Sequence, residues 1–128
     1  MKTIITLSLL LSLTGVDATD TFWQSFKTAV SKRDVETIAR LTQFPIEMPY
    51  GISGIKTKAQ LTRRYRQVFN DQTDAAACFA KAKPEIEAAN PKHFTVVCPD
   101  SAGNDVVVYH FDRTRTGWKF SGLDNINE

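Results

Sequence analysis

Two residues capable of acid-base chemistry lie in one predicted strand near the end of the chain. Strand alternation over residues 106–113 separates Val107, Tyr109, Phe111 and Arg113 from Val106, Val108, His110 and Asp112. We expect the more aromatic face to meet the helices, so that His110 and Asp112 share the opposite face. A carboxylate at that spacing can raise the pKa of the imidazole, as a general acid/base pair requires. The ordinary alternative is a surface histidine beside an aspartate.

A second candidate site is a set of large aromatic side chains at helix and strand spacing. They could line an apolar cavity, with phenol hydroxyls as its few polar anchors, or they could fill the hydrophobic core. The six residues are Tyr65, Phe69, Tyr109, Phe111, Trp118 and Phe120.

The N-terminal residues have the pattern of a cleavable export signal. Lys2 precedes an apolar run over residues 4–13, which is too short to span a bilayer, and a small-residue cleavage site ends at Ala18. We therefore predict a signal peptide over residues 1–18, cleavage between Ala18 and Thr19, and a single domain over residues 19–128. The protein is expected in the periplasm or secreted, without a membrane anchor after cleavage.

Cys78 and Cys98 are the two cysteines of the chain, and in an exported domain they predict one disulfide. Two buried thiols are the alternative. With the cysteines paired, His93 and His110 are too few for a zinc site, so neither a metal nor a cofactor is expected.

Positive charge concentrates around the predicted third helix without indicating a nucleic-acid partner. The formal net charge is only +2, and on a helical wheel Tyr65 points inward while the basic residues spread over the solvent side. A solvated face is the ordinary explanation, and an acidic ligand or an envelope surface is the alternative. These residues are Lys56, Lys58, Arg63, Arg64 and Arg66.

The elements that position these residues change type along the chain. Helical spacing predicts a first helix from Asp20, a second capped by Asp34 and ended by Pro45, and a third from Thr57 to Phe69. Residues 44–56 are extended and rich in turns, with room for a short edge strand, and residues 74–83 fit either helix or strand. From His93 the period becomes two, which predicts antiparallel strands joined by hairpins. The result is an α+β fold with helices laid on one face of a curved sheet.

This layout resembles the nuclear transport factor two-like superfamily, whose cone-shaped α+β fold packs helices into a curved antiparallel sheet. The resemblance is carried by the opening Phe22-Trp23-x-x-Phe26 helix, the Asp34 corner, Leu41-x-x-Phe44-Pro45, the capped helix from Thr57 and the strand Gly117 to Leu123. More narrowly, it looks like exported bacterial members of that superfamily without an assigned activity. Enzymes of the superfamily work from the interior of the cone with a buried Asp or a His/Asp pair, and none of their motifs matches this chain residue by residue.

These observations favour a non-catalytic binding or interaction module. Its ligand would be a small apolar molecule or a protein partner, held in the cavity or on the outer sheet face, and the chain could form a homodimer. One alternative is a small lyase or isomerase that uses an interior group or His110 with Asp112. Another is a structural envelope protein.

Overall fold

The computed structural model describes residues 18–49 and 54–126, in which helices pack on one face of a five-stranded sheet. The helices are α1 (Ala18–Ser31), α2 (Val35–Arg40), α3 (Lys58–Arg63), α4 (Tyr65–Phe69) and α5 (Ala75–Lys81). The strands are β1 (Thr42–Glu47), β2 (Glu85–Ile86), β3 (His93–Pro99), β4 (Asp105–Thr114) and β5 (Gly117–Asn125). The predicted α+β arrangement is confirmed.

The first two helices meet at the predicted corner. Asp34 caps α2, because its Oδ1 accepts the backbone N–H of Thr37 at 3.2 Å and its Oδ2 accepts the hydroxyl of the same residue at 2.7 Å. Arg33 turns the chain with a φ of 55°. The corner brings α2 back beside α1, so that β1 enters the sheet at its edge.

The predicted third helix begins at its cap and is interrupted at Arg64. Thr57 Oγ1 accepts the N–H of Gln60 at 3.1 Å, and Gln60 Oε1 accepts the N–H of Lys56 at 2.6 Å. The uninterrupted helix predicted to Phe69 is wrong, since Arg64 has φ −109° and ψ 23° and separates α3 from α4. The break accompanies the burial of the Tyr65 side chain, whose hydroxyl donates to the carbonyl of Val30 at 3.3 Å.

Replacing Thr57 with Ala should lower the free energy of unfolding by about 1 kcal/mol, because the N–H of Gln60 loses its capping oxygen. Urea unfolding measures this loss. Thr57→Ser keeps the hydroxyl and should remain close to the wild type. Equal losses in the two variants would contradict the role of the cap.

Residues 74–83 contain a helix, which settles the choice left open by the sequence. Asp74 Oδ1 accepts the N–H of Ala77 at 3.2 Å and caps α5. The helix carries Cys78 to Cys98 on β3, with a Cα–Cα distance of 5.8 Å, and the predicted disulfide is present. This bond fastens α5 to the sheet.

The strands follow the order β1-β5-β4-β3-β2. The β3–β4 and β4–β5 pairs are antiparallel, as predicted, and β2 pairs with β3 in the same way. In contrast, β1 pairs with β5 in parallel. The sheet is therefore mixed. Hairpins force neighbouring strands to alternate in direction, whereas β1 and β5 lie far apart in the chain and are free of that constraint. Between α1 and this sheet lies a core of aromatic rings.

The predicted signal peptide falls outside the described residues except for Ala18, the first residue of α1. Export and cleavage between Ala18 and Thr19 stay predictions. Within residues 18–49 and 54–126, the structure has no helix long and apolar enough to cross a membrane.

Candidate functional site

Four polar side chains meet on the face of the sheet that is turned away from the helices. Tyr109 and Phe111 on β4 are fully buried on the helix side, while His110 and Asp112 alternate with them and are half-buried. This confirms the predicted alternation. We call the four residues the outer-face cluster: His93, His110, Asp112 and Ser121.

His93 enters the outer-face cluster through the register of the β3–β4 pair. It lies directly opposite Asp112, and its Nδ1 is 2.8 Å from Asp112 Oδ1. Its other ring nitrogen, Nε2, is 3.2 Å from Nδ1 of His110. The predicted direct pairing of His110 with Asp112 is therefore replaced by a chain of contacts in which His93 lies between them.

Ser121 reaches the outer-face cluster because β5 carries an extra residue at this point. His110 pairs with Gly122 and Phe111 pairs with Phe120, so the register shift leaves Ser121 without a partner residue on β4. Its hydroxyl donates to Asp112 Oδ2 at 2.6 Å and lies 3.2 Å from the carbonyl oxygen of His110. Both Asp112 oxygens are thereby bound to neighbouring side chains.

The hydrogen bonds determine which nitrogen of each imidazole carries the proton. An ionised Asp112 only accepts, so His93 must donate from Nδ1. In the arrangement with His93 neutral, its Nε2 is bare and accepts the Nδ1–H of His110, while Glu87 Oε1 lies 3.9 Å from the same Nε2. This assignment leaves a lone pair on Nε2 of His110, for which the described residues supply no hydrogen-bond donor.

Charge and burial act in opposite directions on these groups. Burial raises the pKa of Asp112, but the hydrogen bonds from Ser121 and His93 outweigh it and hold that pKa below the ordinary 3.8. Burial and the neighbouring His93 lower the pKa of His110 below 6.5, although Asp124 and other carboxylates partly oppose them. The predicted rise in the His110 pKa is therefore wrong, because desolvation outweighs the attraction of Asp112.

We expect the stability of the protein to fall as the pH drops below 6.5, the ordinary pKa of histidine. The unfolded chain binds a proton at His110 more readily than the folded chain does, so acid favours unfolding, by at most about 1.4 kcal/mol per pH unit for one group. The variant His110→Asn should flatten this slope in urea unfolding at a series of pH values. Thr95→Ser, a change on the neighbouring strand, should keep it. An unchanged slope in His110→Asn would contradict the assignment.

The outer-face cluster borders a shallow depression of about 270 Å³. The residues around it include three carboxylates, Glu47, Asp112 and Asp124, together with the exposed Pro49. Among the described residues, no lysine or arginine lines it. Gly122 is also in the wall, where a Cβ would lie 3.3 Å from the carbonyl oxygen of Glu47. The depression therefore combines a neutral acceptor nitrogen with an excess of negative charge.

The described residues do not bring three His, Cys, Asp or Glu side chains together in an arrangement suited to a metal ion.

Comparison with known proteins gives similarity of structure only. The sequence matches no protein-family profile and no curated protein. A Δ5-3-ketosteroid isomerase from Mycobacterium sp. is similar at 15% identity and a TM-score of 0.48, covering 86% of this chain and 92% of that one. An NTF2-like protein with a cystatin-like fold from Novosphingobium aromaticivorans has 17% identity and a TM-score of 0.44, covering 94% and 86%. A Mycobacterium tuberculosis protein in complex with estradiol-17β-hemisuccinate has 14% identity and a TM-score of 0.47, covering 86% and 93%.

The chain resembles NTF2-like proteins in its fold. This is the resemblance that the sequence predicted. At these identities and TM-scores it does not bear on the activity or the ligand of this chain.

The six aromatic residues predicted as a site lie in the core. Phe111 and Phe120 are fully buried, with ring centroids 5.6 Å apart, and Phe120 lies 5.9 Å from Tyr109. Tyr65 and Phe69 also border a small pocket of about 170 Å³ at the surface beside Arg33. The interior position that could have held a ligand is thus occupied by packed rings, among them Phe26, whose centroid is 5.2 Å from that of Phe111.

Sequence reasoning missed His93 and Ser121 as members of the site. Counting the β3–β4 register back from the turn over residues 99–104 places His93 opposite His110, which would have found it on the outer face. The register shift between Cys98 and Pro99 moves it opposite Asp112 instead. Ser121 had no comparable signal, because the bulge that exposes it to Asp112 follows from packing across three strands.

Proposed function

We propose that this protein is an exported, non-catalytic interaction module that binds a protein partner through the outer face of its sheet. A single basic side chain of the partner, Arg or Lys, would occupy the depression beside the outer-face cluster. The observation that supports this most is the ring nitrogen of His110 among the carboxylates of Glu47, Asp112 and Asp124, in a depression whose described wall contains no lysine or arginine.

Size and charge both support a basic side chain. The volume of about 270 Å³ lies just below the usual range for small-molecule pockets, so one side chain suits it better than a larger ligand. Guanidinium and ammonium groups only donate hydrogen bonds, which matches an acceptor nitrogen and carboxylate oxygens. Arginine is also enriched among the residues that dominate binding energy at interfaces.

The test uses three short peptides as probes: acetyl-Gly-Arg-Gly-amide, its lysine analogue and its glutamine analogue. Calorimetric or NMR titration at low salt should show roughly tenfold weaker binding of the glutamine peptide, the loss expected for one charge-assisted hydrogen bond. Glu47→Gln should weaken binding of the arginine peptide several-fold. Glu85→Gln, which removes an exposed carboxylate on β2, is the matched control and should leave binding unchanged.

Equal binding of the arginine and glutamine peptides would overturn the proposal, as would equal effects of Glu47→Gln and Glu85→Gln. A second copy of the chain is the competing occupant of this face. Concentration-dependent dimers that Glu47→Gln breaks, together with a failure to bind any peptide, would assign the face to a homodimer instead.

Acid-base catalysis is the second candidate, and the contacts from Asp112 through His93 to His110 favour it. The carboxylate orients one imidazole, which in turn orients the next, so that Nε2 of His110 could take a proton from a substrate. Such a reaction also needs donors for the charge that develops on the substrate. The hydroxyl of Ser121 already donates to Asp112, and this leaves binding as the better supported function.

A further inference from the structure

A second concave surface lies on the other side of the disulfide from the hydrophobic core. It is a groove of about 600 Å³ formed by residues 70–74, α5, the end of β3 and the turn at residues 100–101. This volume lies within the usual range for small-molecule sites. We call it the disulfide groove.

The walls of the disulfide groove are largely apolar. Ala77, Ala82 and the half-buried Cys78 contribute from α5, and Val97 and Pro99 contribute from β3. Because Cys78 is bonded to Cys98, the two walls are covalently held in position. A rigid groove costs a ligand less ordering on binding than a mobile one would.

The rim of the disulfide groove is acidic. It carries Asp71, Asp74 and Asp100 against a single cation, Lys81. Asp74 caps α5, and Asp100 Oδ1 accepts the N–H groups of Ala102 and Asn104, so these two carboxylates are fixed in place. Asp71 is 3.9 Å from exposed Arg66, a long contact between solvated side chains. The negative charge at the rim therefore exceeds the positive charge.

We propose that the disulfide groove binds a small molecule with an apolar body and one ammonium group. The apolar part would lie against Ala77, Val97 and Pro99, and the ammonium group would lie at the rim near Asp71. This site is separate from the outer-face depression, and the proposal does not depend on a protein partner being bound there.

Three probes with the same apolar body separate shape from charge: 4-phenylbutylamine, 4-phenylbutanol and 4-phenylbutanoate. Titration of the oxidised full domain followed by amide NMR should give the amine about fivefold tighter binding than the alcohol, and weaker binding still for the acid, as expected for partly exposed charge pairs. The shifted signals should come from α5 and the end of β3. Equal affinities for the three probes would overturn the proposal.

Three variants complete the test. Ala77→Trp fills the disulfide groove and should weaken binding of the amine at least tenfold. Ala80→Trp, on the same helix but outside the groove, should leave that binding unchanged. Both positions are exposed, and circular dichroism checks that each variant folds. Asp71→Asn removes a charge from the rim and leaves the helix cap at Asp74 intact. It should weaken binding of the amine and leave binding of the alcohol unchanged. Binding that survives Ala77→Trp, or an equal response of both probes to Asp71→Asn, would overturn the proposal. The peptide titrations at the outer face are unaffected by either result.

Discussion

The variant Phe111→Ala should lower the free energy of unfolding by about 4 kcal/mol, a large part of the stability of a small domain. Phe111 is fully buried and its ring is 4.6 Å from that of Phe94 and 5.2 Å from that of Phe26, measured between centroids. Truncation would remove these contacts and leave a cavity. Urea unfolding at neutral pH, followed by circular dichroism, measures the loss.

The same experiment decides between core and cavity. Phe111→Leu keeps most of the buried volume and should lower the free energy of unfolding by less than half as much, because the leucine side chain still contacts the surrounding rings. A loss below about 1 kcal/mol in Phe111→Ala would mean that the ring borders open space. That outcome would return the ligand site to the interior and contradict the packed core.

Removing the disulfide should have the second largest effect. The double variant Cys78→Ala, Cys98→Ala should lower the free energy of unfolding by about 3 kcal/mol, as expected when a loop with a sequence separation of 20 is opened in the unfolded chain. It also frees α5 from β3, so binding in the disulfide groove should fall with it.

A reductant provides the control for this prediction. It should lower the melting temperature of the wild-type protein and leave that of the double variant unchanged. The disulfide would be contradicted if the reductant did not change the wild-type melting temperature. It would also be contradicted if the mass of the purified protein showed two free thiols.

Much of the fold follows from local patterns. Phe22, Trp23 and Phe26 recur at helical spacing and are buried in α1, and Asp34 and Thr57 cap helices as their positions predict. These features are predictable because each depends on residues within one or two turns of the chain.

The parts that were not predictable depend on distant residues. The break at Arg64 and the parallel pairing of β1 with β5 arise from tertiary packing, which a local pattern does not contain. The aromatic positions were consistent with a core and with a cavity, because periodicity reports which side of an element is apolar but not whether space remains beside it. That choice depends on how the rings pack once the helices and strands have come together.

The candidate site was half predictable for the same reason. Alternation along one strand placed His110 and Asp112 on the outer face, and the structure confirms that face. Alternation cannot supply the cross-strand partner. His93 is contributed by the register of the neighbouring strand. Its position between the two residues changes their contacts and adds to the burial that lowers the His110 pKa.

The imidazole ¹⁵N spectrum of the protein at about pH 7.5, recorded with and without acetyl-Gly-Arg-Gly-amide, shows whether Nε2 of His110 is the acceptor in the outer-face depression. We expect His93 and His110 both to carry their proton on Nδ1, and the peptide to move the Nε2 resonance of His110 more than any other ring nitrogen. A proton on Nε2 of His110, or a spectrum that the peptide leaves unchanged, would contradict the assignment of the outer-face depression as the binding site.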